Sequence, residues 1–186
     1  MDIALLVGAL DGFGRRLAAV GARWGDPTPC AEWDVRALAN HVLDELLWIP
    51  PLLTGQTIDE VGDRFAGDQL GDDPMDAWDD AAAAAIAAAS EPGAQERITH
   101  LSFGDLPGGE YLGQVTSDVV IHTWDLAQAI GADEDLGDAL VVFTDAFLSP
   151  QIDLWRSAGV FGPAAEVSAD ASAQDVLLAQ TGRTPR

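Results

Sequence analysis

The sequence predicts an all-α fold, a helical bundle with one long crossover. Apolar residues recur at spacings of three and four along several segments, those segments are bounded by capping and helix-breaking residues, and only residues 97 to 110 alternate in the manner of a strand. At 186 residues the chain can bury one sizeable core without disulfides. It reads as a single domain over 1–186, with no internal repeat, long linker or low-complexity tail.

Between residues 2 and 24, Ile3, Leu6, Val7, Leu10, Phe13, Leu17 and Val20 share one helical face despite Gly8, Gly12 and Gly14. The segment from Gly25 to Glu32, with Pro27 and Pro29, breaks that helix. A second helix is expected from an N-cap at Asp34 through Leu53, with Pro50 and Pro51 bending it or ending it early. A third spans about 74 to 90, opened by Asp73 and Pro74 and closed by Pro92 and Gly93. Its Ala81 to Ala89 tract is apolar, but far short of the roughly 20 residues a membrane span needs, so it reads as a tightly packed helix. Residues 97 to 110 carry Ile98, Leu101 and Phe103 and end in Pro107, Gly108 and Gly109, an extended crossover or at most a short hairpin. The fourth helix runs from about Tyr111 to Ile130, with Gly131 as its stop. A fifth, Leu136 to Ala158, is interrupted near Pro150. A last short helix covers Ser172 to Thr181, with Ser172 and Asp175 at capping-box spacing.

The net charge of −22, from 31 acids against 9 bases, repels nucleic-acid phosphates and anionic lipid headgroups, so neither is expected as a partner. A small molecule is the expected partner, and an acidic helical bundle can also form a homodimer through a helix face. A single cysteine and an N-terminus without a basic segment ahead of an apolar stretch point to the cytoplasm.

On the fourth helix, Val115, Val119, Leu126 and Ile130 form one narrow stripe with His122 in its middle. Asp118, one turn earlier, lies at the stripe's edge, so the two side chains lean over the same patch of interior. On the second helix Leu38, Val42, Ile49 and Leu52 face inward, with His41 at the margin and Glu45 inside the stripe. Trp48 follows on the line of His41 and Glu45, where it would wall a site beside His41. Inward carboxylates need a proton, a hydrogen-bonded partner or a metal, and the chain has no lysine to neutralise them. A divalent ion would do so, and two imidazoles with a carboxylate suit zinc, nickel or iron better than magnesium or calcium. Spacing also allows a metal-free reading, in which Asp118 fixes the His122 tautomer by a hydrogen bond. Cys30 has no activating base among its sequence neighbours and reads as a buried structural thiol. His100 reads as a surface or packing residue, and Asp125 as either a second acceptor behind the histidine or a solvated side chain.

The segment from Thr28 through Pro29, Cys30, Ala31, Glu32, Trp33 and Asp34 to His41, and that from Asp118 through His122, Thr123, Trp124 and Asp125 to Ala127, resemble two signature regions of one family. It is the mycothiol-dependent maleylpyruvate isomerase metal-binding domain family, within the DinB-like superfamily. The closing stretch from Leu177 to Arg183 is similar to the end of its short, single-domain actinobacterial branch. The resemblance implies a DinB-like four-helix bundle, additional short C-terminal helices, and a divalent metal held at the positions of His41, Asp118 and His122. It also implies a low-molecular-weight thiol, mycothiol or a relative, bound and activated by that metal for isomerisation or thiol transfer. The acid here is Asp118, where the isomerase carries the longer Glu. Arg183 is a candidate to bind an anionic substrate, against the plainer reading of an exposed terminal arginine.

The function expected is therefore a metal-dependent enzyme acting on a small molecule, in which Glu45 serves as base or as support behind the ligands. The alternative is a non-catalytic metal-bound or stress-response binding module, whose ion would be closed by a fourth protein ligand such as Glu45 or His100.

Overall fold

The computed structural model describes residues 1–185, which form two compact units, 1–134 and 135–185. Four long helices build the first: α1 (Ile3–Ala18), α2 (Val35–Leu53), α4 (Pro74–Ser90) and α5 (Gly108–Ile130). A short helix α3 (Ile58–Val61) follows α2, and a hairpin of β1 (Ile98–Leu101) and β2 (Gly104–Pro107) leads into α5. Around the bundle α1 packs on α4 and α5, and α2 packs on the same two helices. The all-α, DinB-like bundle expected from the sequence is what the chain forms.

Side chains start the helices where the sequence signals them. Asp2, Asp34 and Asp73 each accept a backbone N–H from the first turn of α1, α2 and α4, answering donors the helix cannot pair itself. Gly131 stops α5 in the left-handed conformation. The first helix ends earlier than the apolar pattern suggests. Val20 is fully buried, but the chain turns at Gly21 (φ 59°), so Val20 reaches the core from a turn. Pro50 and Pro51, in contrast, do not end α2, which continues to Leu53. Burial of Ile49, Leu52 and Leu53 on that last turn outweighs the hydrogen bonds the prolines cannot donate.

Residues 97 to 107 resolve the open reading of the crossover. They form the short antiparallel hairpin, with Ile98 opposite Pro107 and Leu101 opposite Gly104. Thr57 bridges His100 in parallel, tying the α2–α3 connection to β1. The α5 helix begins three residues before Tyr111, at Gly108.

The core of this unit is Leu6, Leu10, Phe13 and Leu17 from α1, Leu38, Val42, Leu46 and Ile49 from α2, Trp78, Ala81 and Ala85 from α4, and Val115, Val119, Leu126 and Ile130 from α5. Alanines on α4 let it approach its neighbours closely, and Gly14 does the same for α1. A Cβ at Gly14 would stand 2.7 Å from the Trp78 indole nitrogen. Trp78 is itself held by stacking on Phe13, with ring centroids 4.8 Å apart.

The second unit contains α6 (Asp138–Leu148), a 3-10 turn at Ser149–Gln151, α7 (Ile152–Ser157) and α8 (Ala173–Gln180). The expected interruption at Pro150 is that turn. The Ser172 and Asp175 capping box opens α8, so Asp fills the Glu role: its carboxylate accepts the Ser172 N–H at 3.3 Å. Among the described residues no helix is long and apolar enough to cross a membrane.

Candidate metal centre

The α2 and α5 helices bring His41, Asp118 and His122 together across the bundle. Asp118 Oδ2 lies 3.3 Å from His41 Nε2 and its Oδ1 lies 3.4 Å from His122 Nε2. One donor atom from each residue falls within 4.8 Å of the other two. Ligands at 2.0–2.2 Å from a tetrahedral ion stand about 3.3–3.6 Å apart, so these three have spacings a divalent ion could bridge with little movement. The donors also suit it chemically, being two imidazole nitrogens and a carboxylate oxygen.

His122 is 7% exposed, and its ring is fixed on several sides. Its Nδ1 lies 2.9 Å from Asp125 Oδ2, one turn further along α5. The His41 ring meets it edge-on with centroids 5.1 Å apart. The Trp33 indole lies 5.7 Å from its centroid and 4.6 Å from that of His41, so one aromatic face covers both imidazoles. Burial alone would lower the His122 pKa. The Asp118 charge and the hydrogen bonds His122 makes to Asp118, Asp125 and Cys30 outweigh it, and hold the proton on His122 well beyond the usual imidazole range. For Asp118, burial pushes upward, but His122 and His41 win and keep its carboxyl well below the usual carboxylate range. In the metal-free protein the pair is thus an ion pair, the state a bound cation would replace.

Glu45 lies one turn beyond His41, partly buried. Burial first, and then the Asp118 charge, push its pKa up to about 7. Trp48 packs edge-on against Phe65, with centroids 5.7 Å apart. The Trp33 ring also lies beside His41. Arg183 belongs to the second unit, where its guanidinium donates to the Thr181 carbonyl at 3.0 Å. His100 lies on the hairpin with its Nδ1 2.8 Å from Asp105, and Asp125 is fully buried, so it is not a solvated side chain.

Sequence reasoning missed Cys30 and Trp33. Cys30 is only partly buried, and its Sγ lies 3.4 Å from Asp125 Oδ2 and 3.9 Å from His122 Nδ1. The thiol expected to be a buried structural one thus stands directly behind a proposed ligand. The loop before α2 achieves this because it is tightly pinned. Thr28 Oγ1 donates to the Trp33 carbonyl at 2.8 Å, Trp33 N–H donates to the Cys30 carbonyl at 2.8 Å, and Pro27 bridges Asp34. No local pattern signals contacts between residues 92 and 95 positions apart; the only pointer was that both residues sit inside the motif ending at His41.

Residues 6–127 match the family model described as the mycothiol maleylpyruvate isomerase N-terminal domain. An uncharacterized protein of Mycobacterium tuberculosis, matched in two strains, is 35% identical over 140 residues, covering 72% of this chain and 70% of that protein. Two crystal structures, of the mycothiol-dependent maleylpyruvate isomerase and of a histidine-to-alanine mutant of it, share the fold with a TM-score of 0.64. They are 20% and 19% identical to this chain and cover 84% of it and 70% of their own length.

Proposed function

Because the chain belongs to the mycothiol maleylpyruvate isomerase N-terminal domain family, we propose that it is a metal-dependent enzyme using a low-molecular-weight thiol. In this reading His41, Asp118 and His122 hold a divalent ion, zinc before nickel or iron, and a thiol of the mycothiol type joins them in an isomerase or thiol-transfer reaction on a small molecule. The supporting observation is the convergence of the three donor atoms within 4.8 Å of one another. The resident ion would supply Lewis acidity and keep a coordinated thiol deprotonated at neutral pH.

Glu45 is the residue suited to move a proton. Its pKa of about 7 leaves both protonation states populated near neutrality, which is what a general acid or base requires. Trp33 shields the two imidazoles on one side, and Trp48 is assigned to binding the thiol or substrate. The same reading takes the protein to be cytoplasmic and its 186 residues to be one domain.

Cobalt substitution tests the proposal, because a cobalt–thiolate bond gives an intense near-ultraviolet charge-transfer band that water and carboxylate ligation do not. The band is expected when a low-molecular-weight thiol is added to the Co²⁺ protein and is expected to be absent in His41→Ala. A spectrum unchanged at saturating thiol, with Co²⁺ bound, would contradict thiol chemistry at this ion. It would leave a water-activating or closed structural centre, with Glu45 the first residue to examine as fourth ligand.

A further inference from the structure

We propose that Asp125 is a positioning residue for the metal centre: it holds the His122 ring so that Nε2, and not Nδ1, is presented to the ion. The proposal rests on the reading of His122 as a ligand and deepens it. An imidazole has two nitrogens on opposite edges of the ring, and a half-turn about χ2 would put Cε1 where Nε2 stood and Cδ2 where Nδ1 stood, so the ring must be held in one orientation for Nε2 to reach the ion. The ring's environment in this protein is asymmetric. On one edge Nε2 faces Asp118 at 3.4 Å, on the side shared with His41. On the other edge Nδ1 meets Asp125 Oδ2 at 2.9 Å. With the Asp125 oxygen as acceptor in that contact, its hydrogen sits on Nδ1, and once the ring gives up its other proton the Nε2 lone pair faces the ion.

Asp125 is well placed to impose this order. It is completely buried on α5, one turn after His122, so its own rotamer is confined by packing. The Cys30 thiol lies 3.4 Å from the same Oδ2, which ties the carboxylate to the pinned loop ahead of α2. A carboxylate oxygen accepts more than one hydrogen, so the thiol and the imidazole do not exclude each other. The contacts form a chain from loop to Asp125 to His122, ending at the site of the ion.

The experiment compares Asp125→Leu, which removes the acceptor, with Asp125→Asn, whose amide oxygen can still accept from Nδ1. Co²⁺ affinity is measured by competition with a chelator, and ¹⁵N-histidine NMR is recorded on the Zn²⁺-loaded proteins, with thermal unfolding as the control for folding. The Leu variant is expected to bind Co²⁺ about 10–100-fold more weakly, as losses of partners behind a ligand usually do, and to lose the slowly exchanging Nδ1 hydrogen of His122. The Asn variant should keep that signal and lose less affinity. A role confined to packing would lower stability in both variants without separating their affinities or moving the signal. Parent-like affinity and an unchanged signal in the Leu variant overturn the proposal, provided His122→Ala has lost the ion. If His122→Ala binds Co²⁺ as the parent does, it is the ligand assignment itself that has failed. Should the Leu variant not fold, the Zn²⁺-loaded parent decides. Coordination through Nε2 with a protonated Nδ1 supports the proposal, and coordination through Nδ1 overturns it.

Discussion

At His122 two effects on one proton oppose each other. Burial disfavours the imidazolium, whereas the Asp118 carboxylate and the surrounding hydrogen bonds favour it and win, so the proton stays bound above the usual imidazole range. An ion binding at this nitrogen set must displace that proton. Apparent metal affinity should therefore tighten as pH rises from about 6 to about 8, by up to tenfold per unit for each proton released. Co²⁺ titrations across that range check it, and a pH-independent affinity would contradict a ligand role for His122. Glu45 offers a second test, on the metal-free protein. Its pKa rises from 4.5 in the unfolded chain to about 7 in the fold. Below pH 4.5 both states are protonated and nothing is lost. Between the two values the unfolded chain releases a proton that the fold retains, so stability falls as pH rises and the whole penalty is present above pH 7. Glu45→Gln should thus stabilise the metal-free protein by on the order of 2–3 kcal/mol at pH 8 and by little at pH 4, measured by urea unfolding. An equal gain at both pH values would place the effect in packing rather than charge.

The elements show why some features were legible in the sequence and others were not. Helices α2, α4 and α5 could be placed because local chemistry marks their ends: Asp34, Asp73 and Gly131 are capping residues whose effect reaches only one turn. Asp118 and His122 could be paired for the same reason, since four residues on a helix fix their relation without help from the rest of the fold. The persistence of α2 through Pro50 and Pro51 depends on tertiary burial of its last turn, which local propensity does not contain. The positions of Cys30 and Trp33 depend on a loop folding back onto α5, and the short α3 has too few residues to show a period. One helix contact gives a direct test. Gly14→Ala would improve helix propensity by roughly 1 kcal/mol, but its Cβ would press on the buried Trp78 ring at 2.7 Å. Overpacking of this kind costs about 1–3 kcal/mol, so a lower melting temperature is expected. A higher one would mean that α1 and α4 separate freely.

For the whole molecule, a charge of −22 means that like-charge repulsion works against compactness and that any cation is attracted unspecifically. Monovalent salt should therefore raise the melting temperature by screening, without replacing the divalent ion at the three donors. The proposal of one domain predicts a single calorimetric unfolding transition although the chain forms two compact units, 1–134 and 135–185. Two separable transitions would divide the chain at that boundary. Family membership and the four-helix architecture give the frame, and the proposal that most depends on this chain's own residues is the ion between α2 and α5. Elemental analysis of protein purified without a histidine tag, after dialysis against buffer free of metal, tests it most directly. The account predicts about one divalent ion per chain in the parent, and little in His41→Ala, Asp118→Ala and His122→Ala that remain folded. The same metal content in parent and variants, or none in the parent even after reloading with Zn²⁺, would contradict it.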